Sequence, residues 1–182
     1  MKVILPVAGY STRFGEVAEY APKQLLPVLG KPIIDYTLDQ IDRMDEIDKV
    51  YLITNDRFYQ HFANHVARRK GKPIEVLNDG SKSNNDRRGT IRDIGLVLER
   101  SKISDDVMIV FPDNLFDFNL EEALRSFRGR YSEYPVLVVY DVGDFEKAKR
   151  FGVLKTGPDN KVMSFAEKPD NPTSTLVSTG IY

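Results

Sequence analysis

Short apolar runs rich in β-branched residues punctuate the chain at Val3 to Val7, Lys49 to Thr54, Ile74 to Leu77, Val107 to Phe111 and Val136 to Val142. Their apolarity is near-continuous rather than alternating, the pattern of strands buried on both faces, as in a parallel sheet. Between them, apolar residues recur at helical spacing over Ile33 to Met44, Phe58 to Arg69, Thr90 to Glu99 and Leu120 to Phe127, the last opening with Asn119 and Glu122 in capping-box positions. Strand alternating with helix predicts an open α/β architecture with a mostly parallel central sheet. After Asp144 the pattern changes to a short helix. It is followed by Gly152 to Thr156 and Lys161 to Ala166, joined by Gly157-Pro158-Asp159-Asn160, which read as a small β-hairpin extension beside the main sheet. No repeat, low-complexity tract or linker divides the chain, so one domain over residues 1–182 is expected.

Two stretches resist this periodicity: Ala8 to Pro32, and Asn78 to Arg88 with its run Asn-Asp-Gly-Ser-Lys-Ser-Asn-Asn-Asp. Structureless loops longer than about 12–15 residues are uncommon in compact domains unless they serve a function. Both follow expected strands, and open α/β sheets bind ligands beyond the carboxyl ends of their strands.

Composition narrows the chemistry. The chain has 182 residues, 41% of them hydrophobic and 29% charged, enough for a sizeable core. Its 26 basic and 27 acidic side chains leave a net charge of -1, which removes any global electrostatic case for nucleic acid or an anionic membrane; anion binding must be local. The N-terminal apolar run is too short for a signal segment or a membrane span. The absence of Cys excludes disulfide and thiolate chemistry and fits a reducing cytoplasm. His61 and His65 have the spacing of a two-His metal site, but Phe62 stands where a metalloprotease carries its Glu, so a metal role is not assigned to them. With only these two His, a Ser-His-Asp or Cys-His arrangement has little to build on.

Gly9, directly after a buried strand, lets the backbone turn sharply and brings its N–H groups within reach of a phosphate. Arg13 offers a planar fork of donors and Lys23 a compact positive charge beyond Pro22. Taken singly, these residues read as a surface loop with two solvated cations rather than as a phosphate cradle. Asp113 and Asn114 follow the apolar run Val107 to Phe111, which puts a carboxylate at a strand's carboxyl end, fit for Mg²⁺ or for a plain turn.

The longer runs decide between these readings. Pro6-Val-Ala-Gly-Tyr-Ser-Thr-Arg-Phe followed by Ala21-Pro-Lys-Gln-Leu-Leu-Pro-Val-Leu-Gly-Lys-Pro-Ile-Ile-Asp-Tyr resembles the N-terminal signature of the sugar-1-phosphate nucleotidyltransferases, with Ser11 where that family usually has a second Gly. Pro112-Asp113-Asn114 resembles the family's Gly-Asp-Asn, and Phe151-Gly-Val-Leu and Phe165-Ala-Glu-Lys-Pro resemble its Tyr-Gly-Val-Val and Phe-Glu-Glu-Lys-Pro elements. Asn78-Asp-Gly-Ser and Gly89-Thr-Ile-Arg-Asp-Ile resemble elements of a subset of archaeal and bacterial members.

This resemblance implies a three-layer, Rossmann-like nucleotidyltransferase fold. It also implies a Mg²⁺-dependent condensation of a nucleoside triphosphate with a sugar 1-phosphate, releasing pyrophosphate. Arg13, Lys23 and Asp113 would be catalytic, Asp113 also holding the metal. Ala8, Gly9, Tyr10, Ser11, Thr12, Asn78 and Gly89 would bind the nucleotide; Asn114, Gly152, Glu167 and Lys168 would bind the sugar phosphate. Val177-Ser-Thr-Gly-Ile-Tyr resembles a family strand that further sequence follows, including a second metal-binding Asp, so the resemblance implies a fragment of a longer enzyme. Two alternatives stay open: a regulatory domain that binds nucleotide sugars without turnover, and a cytidylyltransferase acting on phosphocholine or another small phosphate. The residues leave base, sugar and self-association, as a homo-oligomer, undecided.

Overall fold

The structure, a computed structural model, describes residues 1–10 and 20–182. The chain forms two compact units, Met1–Arg125 and Ser126–Tyr182.

In the first unit, β1 (Lys2–Pro6) is followed by a two-stranded hairpin of β2 (Pro27–Val28) and β3 (Lys31–Pro32) and by helix α1 (Ile33–Asp42). Then come β4 (Lys49–Thr54), α2 (Tyr59–Ala67), β5 (Ile74–Asn78), α3 (Thr90–Arg100) and β6 (Val107–Ile109). α4 (Leu120–Arg130) carries the chain into the second unit. The sheet has the order β5-β4-β1-β6 with every pairing parallel, as the apolar runs predict.

The pleat explains why these strands need no polar positions. Ile4, Tyr51, Ile53 and Leu77 point to one face and pack with Val97, Ile94 and Leu98 of α3. Val3, Leu5, Val50 and Leu52 alternate with them onto the other face and are fully buried. Helical spacing does the same for α1, which buries Ile34, Leu38 and Ile41, and for α2, which buries Phe62. Gln40 of α1 accepts the Leu120 N–H at 2.9 Å, which fixes the start of α4 where Leu120 and Leu124 are buried.

The second unit is an antiparallel sheet of order β7-β10-β8-β9, from β7 (Val138–Asp141), β8 (Gly152–Thr156), β9 (Val162–Glu167) and β10 (Leu176–Ile181), with the one-turn helix α5 (Phe145–Ala148) between β7 and β8. Asp144 caps α5, accepting the Glu146 and Lys147 N–H groups. The expected hairpin exists as β8 and β9, but it is half of a four-stranded sheet. The run Val136 to Val142 belongs here and not to the parallel sheet: its strand pairs antiparallel with β10 and leaves Tyr140 and Asp141 exposed. An apolar run states that a strand has something to bury, not which sheet it joins. Among the described residues no helix is long and apolar enough to cross a membrane.

Candidate active site

In the parallel sheet the chain steps from β1 outward to β4 and β5 and then returns to place β6 on the other side of β1. The connections diverge between β1 and β6, and the carboxyl end of that divide is where an open α/β sheet binds its ligands. Two predicted residues meet there. Lys23 Nζ lies 2.5 Å from Asp113 Oδ2, with 29% and 27% of the two side chains exposed.

Local chemistry fixes both partners. Asp113 sits in the turn after β6, whose last rung is carried on by the Val110 N–H donating to Ile4 at 3.0 Å. Lys23 opens a single 3-10 turn, Lys23–Leu25, behind Pro22, whose ring sets φ to -67°. The arm that carries Lys23 is stapled to α1. The Ile33 N–H donates to the Leu26 carbonyl at 3.1 Å, and Tyr36 Oη donates to the Val28 carbonyl at 2.8 Å. Lys31 pairs with Asp39 and lies over the Tyr36 ring at 4.4 Å.

The turn after β1 is held by side chains from the neighbouring strand ends. The Val7 N–H continues the ladder to Ile53 at 2.9 Å. Beyond it, Asn55 Nδ2 donates to the Ala8 carbonyl at 3.0 Å while Asn55 Oδ1 accepts the Phe58 N–H at 2.9 Å. Tyr10 is 7% exposed, its ring lies 6.4 Å from that of Phe58, and its hydroxyl donates to Ser81 Oγ at 3.2 Å. Its side chain is therefore directed into the protein, which leaves only its backbone for a ligand. A Cβ added to Gly9 would meet no described atom within 4 Å, so packing does not require glycine there.

Asn78 ends β5, and its amide is engaged at both ends: Nδ2 donates to Asp56 at 2.7 Å and Oδ1 accepts the Gly80 N–H at 2.8 Å. It shapes the following loop as an Asx turn. Gly89 precedes α3 with φ 87°, a conformation that favours glycine, and no side chain caps the helix. The N-terminus of α3 therefore opens with backbone N–H groups.

In the second unit, Gly152 of β8 stands opposite Glu167 of β9. A Cβ at Gly152 would come within 2.6 Å of the Phe165 ring and 3.0 Å of Glu167 Oε2, so that space is already filled from within the sheet. Glu167 and Lys168 are exposed and face one another, Nζ to Oε1 at 3.0 Å, and the Lys168 N–H donates to the Phe151 carbonyl at 3.0 Å with φ 46°. Asn114 follows Asp113 beyond β6, whereas Ser11, Thr12 and Arg13 lie outside the described residues.

The family model described as nucleotidyl transferase matches residues 2–182. This chain belongs to the nucleotidyl transferase family. It is 27% identical over 185 residues to the bifunctional protein GlmU of Methanocaldococcus jannaschii, with all of this chain but 39% of that protein aligned. It is also 27% identical over 184 residues to the UTP–glucose-1-phosphate uridylyltransferase AglF of Haloferax volcanii, covering 71% of it. The chain thus spans about two-fifths of the length of GlmU. A solved UDP-glucose pyrophosphorylase complexed with UDP-glucose shares the fold, with a TM-score of 0.76 at 18% identity over 99% of this chain and 74% of that one.

The carboxyl edge of this parallel sheet also carries buried polar residues to which the sequence assigns no role. Asn55, Asp79, Ser81 and Asp93 are each less than 5% exposed. Asp79 accepts from the Ser81 hydroxyl at 2.7 and 2.9 Å and from the Ser81 N–H at 2.7 Å, and its own N–H donates to Thr54 at 2.8 Å. Asp93, in the first turn of α3, has a buried Oδ1 with no partner among the described residues. Burial, and after it the Asp79 charge, pushes its pKa up to about 6 against the pull of Arg88. Asp79, Ser81 and Asp93 lie inside the family-like runs Asn78-Asp-Gly-Ser and Gly89-Thr-Ile-Arg-Asp-Ile without a role of their own being legible, and Asn55 reads as an ordinary loop residue.

Proposed function

We propose that the protein containing this chain transfers a nucleoside monophosphate from a nucleoside triphosphate to a sugar 1-phosphate, releasing pyrophosphate. The observation that carries the reading is the Lys23–Asp113 pair at the carboxyl edge between β1 and β6, in a member of the nucleotidyl transferase family. The name of one relative agrees with it, AglF being a UTP–glucose-1-phosphate uridylyltransferase.

The Ala8–Tyr10 turn would present backbone N–H groups to the triphosphate, with Gly9 leaving room for its approach. Lys23 and Arg13 would neutralise phosphate oxygens and hold the α-phosphorus in line with the attacking sugar phosphate. Phosphoryl-type transfer of this kind depends mostly on position and charge. Gly89, with the α3 N-terminus, would set the base from the backbone, and Asn78 would act through the loop that it shapes. Asn114, Gly152, Glu167 and Lys168 are assigned to the sugar phosphate, Gly152 indirectly, by admitting Phe165 and Glu167 close to β8.

A divalent cation fits Asp113 in one respect. It is a hard, partly exposed oxygen donor whose recorded partner is a cation, and Mg²⁺ is usually held by one or two carboxylates together with substrate phosphates. Among the described residues no group of three or more His, Asp or Glu forms a metal site, so substrate oxygens would supply much of the coordination. When bound, the ion would neutralise charge developing on the phosphates. Lys23 would then exchange Asp113 for phosphate. A cytoplasmic setting, where nucleoside triphosphates are abundant, belongs to the same proposal.

The test is pyrophosphate release by the full-length protein over a panel that crosses the four nucleoside triphosphates with several sugar 1-phosphates and phosphocholine, with and without Mg²⁺. Release from a sugar phosphate supports the reading. Release only from phosphocholine moves it to the cytidylyltransferase alternative. Nucleotide-sugar binding with no release under any condition overturns it in favour of a regulatory domain.

A further inference from the structure

Behind the turn that follows β1 lies a chain of buried hydrogen bonds that neither the fold nor the proposed chemistry demands. Asp79 is 1% exposed, Ser81 3% and Tyr10 7%. A serine hydroxyl has one proton. That of Ser81 goes to Asp79, at 2.7 and 2.9 Å to its two oxygens, so the hydroxyl can only accept from Tyr10, at 3.2 Å. The direction is therefore fixed along the whole chain, from Tyr10 through Ser81 to Asp79. Burial raises the Tyr10 phenol above its ordinary value, which keeps it a donor at neutral pH.

Both ends of the chain are anchored. Asp79 is tied to β4 through its N–H on the Thr54 carbonyl at 2.8 Å, and the Ser81 carbonyl accepts the Asp56 N–H at 2.9 Å. Tyr10 rests on Phe58, whose N–H is held by Asn55, and Asn55 also holds the Ala8 carbonyl. The turn is thus pinned on either side of Gly9, at the Ala8 carbonyl and at the Tyr10 phenol, while a Cβ added at Gly9 would meet no described atom within 4 Å. A backbone that must present its N–H groups to a ligand gains from being fixed before the ligand arrives, since less order is lost on binding.

We infer that Asp79 and Ser81 are positioning residues which, through Tyr10, set the backbone of the Ala8–Tyr10 turn from the loop that follows β5. The inference rests on the reading of that turn as the triphosphate cradle. Because the relay starts in the loop proposed to hold the base, it also links the two ends of the nucleotide.

Tyr10→Phe and Ser81→Ala each remove one link and little volume. In ¹⁵N relaxation of the full-length protein, the order parameters of the Gly9 and Tyr10 amides should fall from the rigid range of about 0.85 toward 0.6 in both variants. Ser81→Thr, which keeps the hydroxyl, should restore them. In steady-state kinetics each variant should raise the KM for the nucleoside triphosphate about tenfold, the scale of one lost hydrogen bond. The KM for the sugar phosphate should stay within about twofold, and the double variant should be no worse than either single one, as expected for links in one chain. Unchanged order parameters, or additive effects on KM, or an equal rise in both KM values, would overturn the inference. If no nucleoside triphosphate is turned over, the proposed function fails, and the relaxation data still decide the relay.

Discussion

The first unit uses opposite charge in two ways. Arg69, just beyond α2, is surrounded by carboxylates spaced along one face of α1: Nη1 lies 2.8 Å from Asp35, and Nη2 lies 2.8 Å from Asp42 and also contacts Asp39. His65 approaches Asp35 at 2.9 Å, Lys31 pairs with Asp39, and Asp42 accepts the Lys72 N–H at 2.9 Å. Burial works to raise the Asp39 carboxyl, yet the hydrogen bonds from Lys31 and Arg69 hold it below its ordinary value. Only 13% of the Arg69 side chain is exposed. This cluster is built from many mutual contacts and joins α1 to α2. The Lys23–Asp113 pair is about twice as exposed as Arg69, though less exposed than Asp39 at 40%, and a single contact joins its members. Asp35 and Asp42 are held by several protein donors, whereas Asp113, which we propose holds a ligand, has one oxygen on Lys23 and stays partly exposed.

The sharpest test of this difference is to remove one charge from each cluster. Asp113→Asn and Lys23→Ala should each lower kcat for pyrophosphate release by about 10²–10³, the usual effect of deleting one group that stabilises developing charge. The urea midpoint should hardly move, since a partly exposed pair contributes only about 0–1 kcal/mol. Arg69→Met should do the reverse. Three aspartates would be left without their shared partner, and urea unfolding should show a loss of about 3 kcal/mol, with kcat of the folded protein within a few-fold of the parent. A kcat loss of 10² in Arg69→Met at full stability would erase the distinction.

Gly71 sharpens the structural side. It has φ 148°, and a Cβ there would lie 2.5 Å from both Asp42 carboxylate oxygens. That carboxylate cannot swing away freely, because Arg69 and the Lys72 N–H hold it. Gly71→Ala should therefore cost on the order of 2 kcal/mol, part from the strained backbone and part from the displaced carboxylate. In an Asp42→Asn background the loss should shrink, and equal losses in both backgrounds would mean that the backbone alone requires glycine.

How far such differences could be read beforehand depends on the residue. The alternation of β-branched runs with helical spacing defines the parallel sheet, because Val3 to Val7 and Lys49 to Thr54 have no polar face to offer. The family signature marks Lys23 and Asp113, and folding brings them into contact across 90 residues of sequence. The membership of β7 in the second sheet was not legible, since its partner β10 lies far along the chain. Asn55 and Asp79 look like loop residues until the register Thr54 to Asn78 sets the two strand ends side by side. That the space beside Gly152 is lined by Phe165 and Glu167 of the neighbouring strand is likewise not legible before folding pairs β8 with β9.

Asp93 belongs to neither kind of carboxylate, and it offers the smallest but most diagnostic effect. It is 4% exposed, its Oδ1 has no partner among the described residues, and its pKa of about 6 stands above the ordinary 3.8. A carboxyl whose pKa is raised on folding opposes folding when ionised. Below about pH 4 the folded and unfolded chains are both protonated there, and the group contributes nothing to the balance. As pH rises from about 4 to 6 the unfolded chain ionises first, so stability falls, and above about pH 6 the penalty is complete. Asp93→Asn should therefore stabilise the protein by on the order of 1–2 kcal/mol at pH 7, with the gain vanishing by about pH 4. Urea unfolding of the two proteins at pH 4, 5, 6 and 7 traces that difference. A gain independent of pH would mean that the Asp93 charge is not its cause, and no gain at pH 7 would mean that Asp93 finds a compensating partner in the folded protein, as the aspartates around Arg69 do.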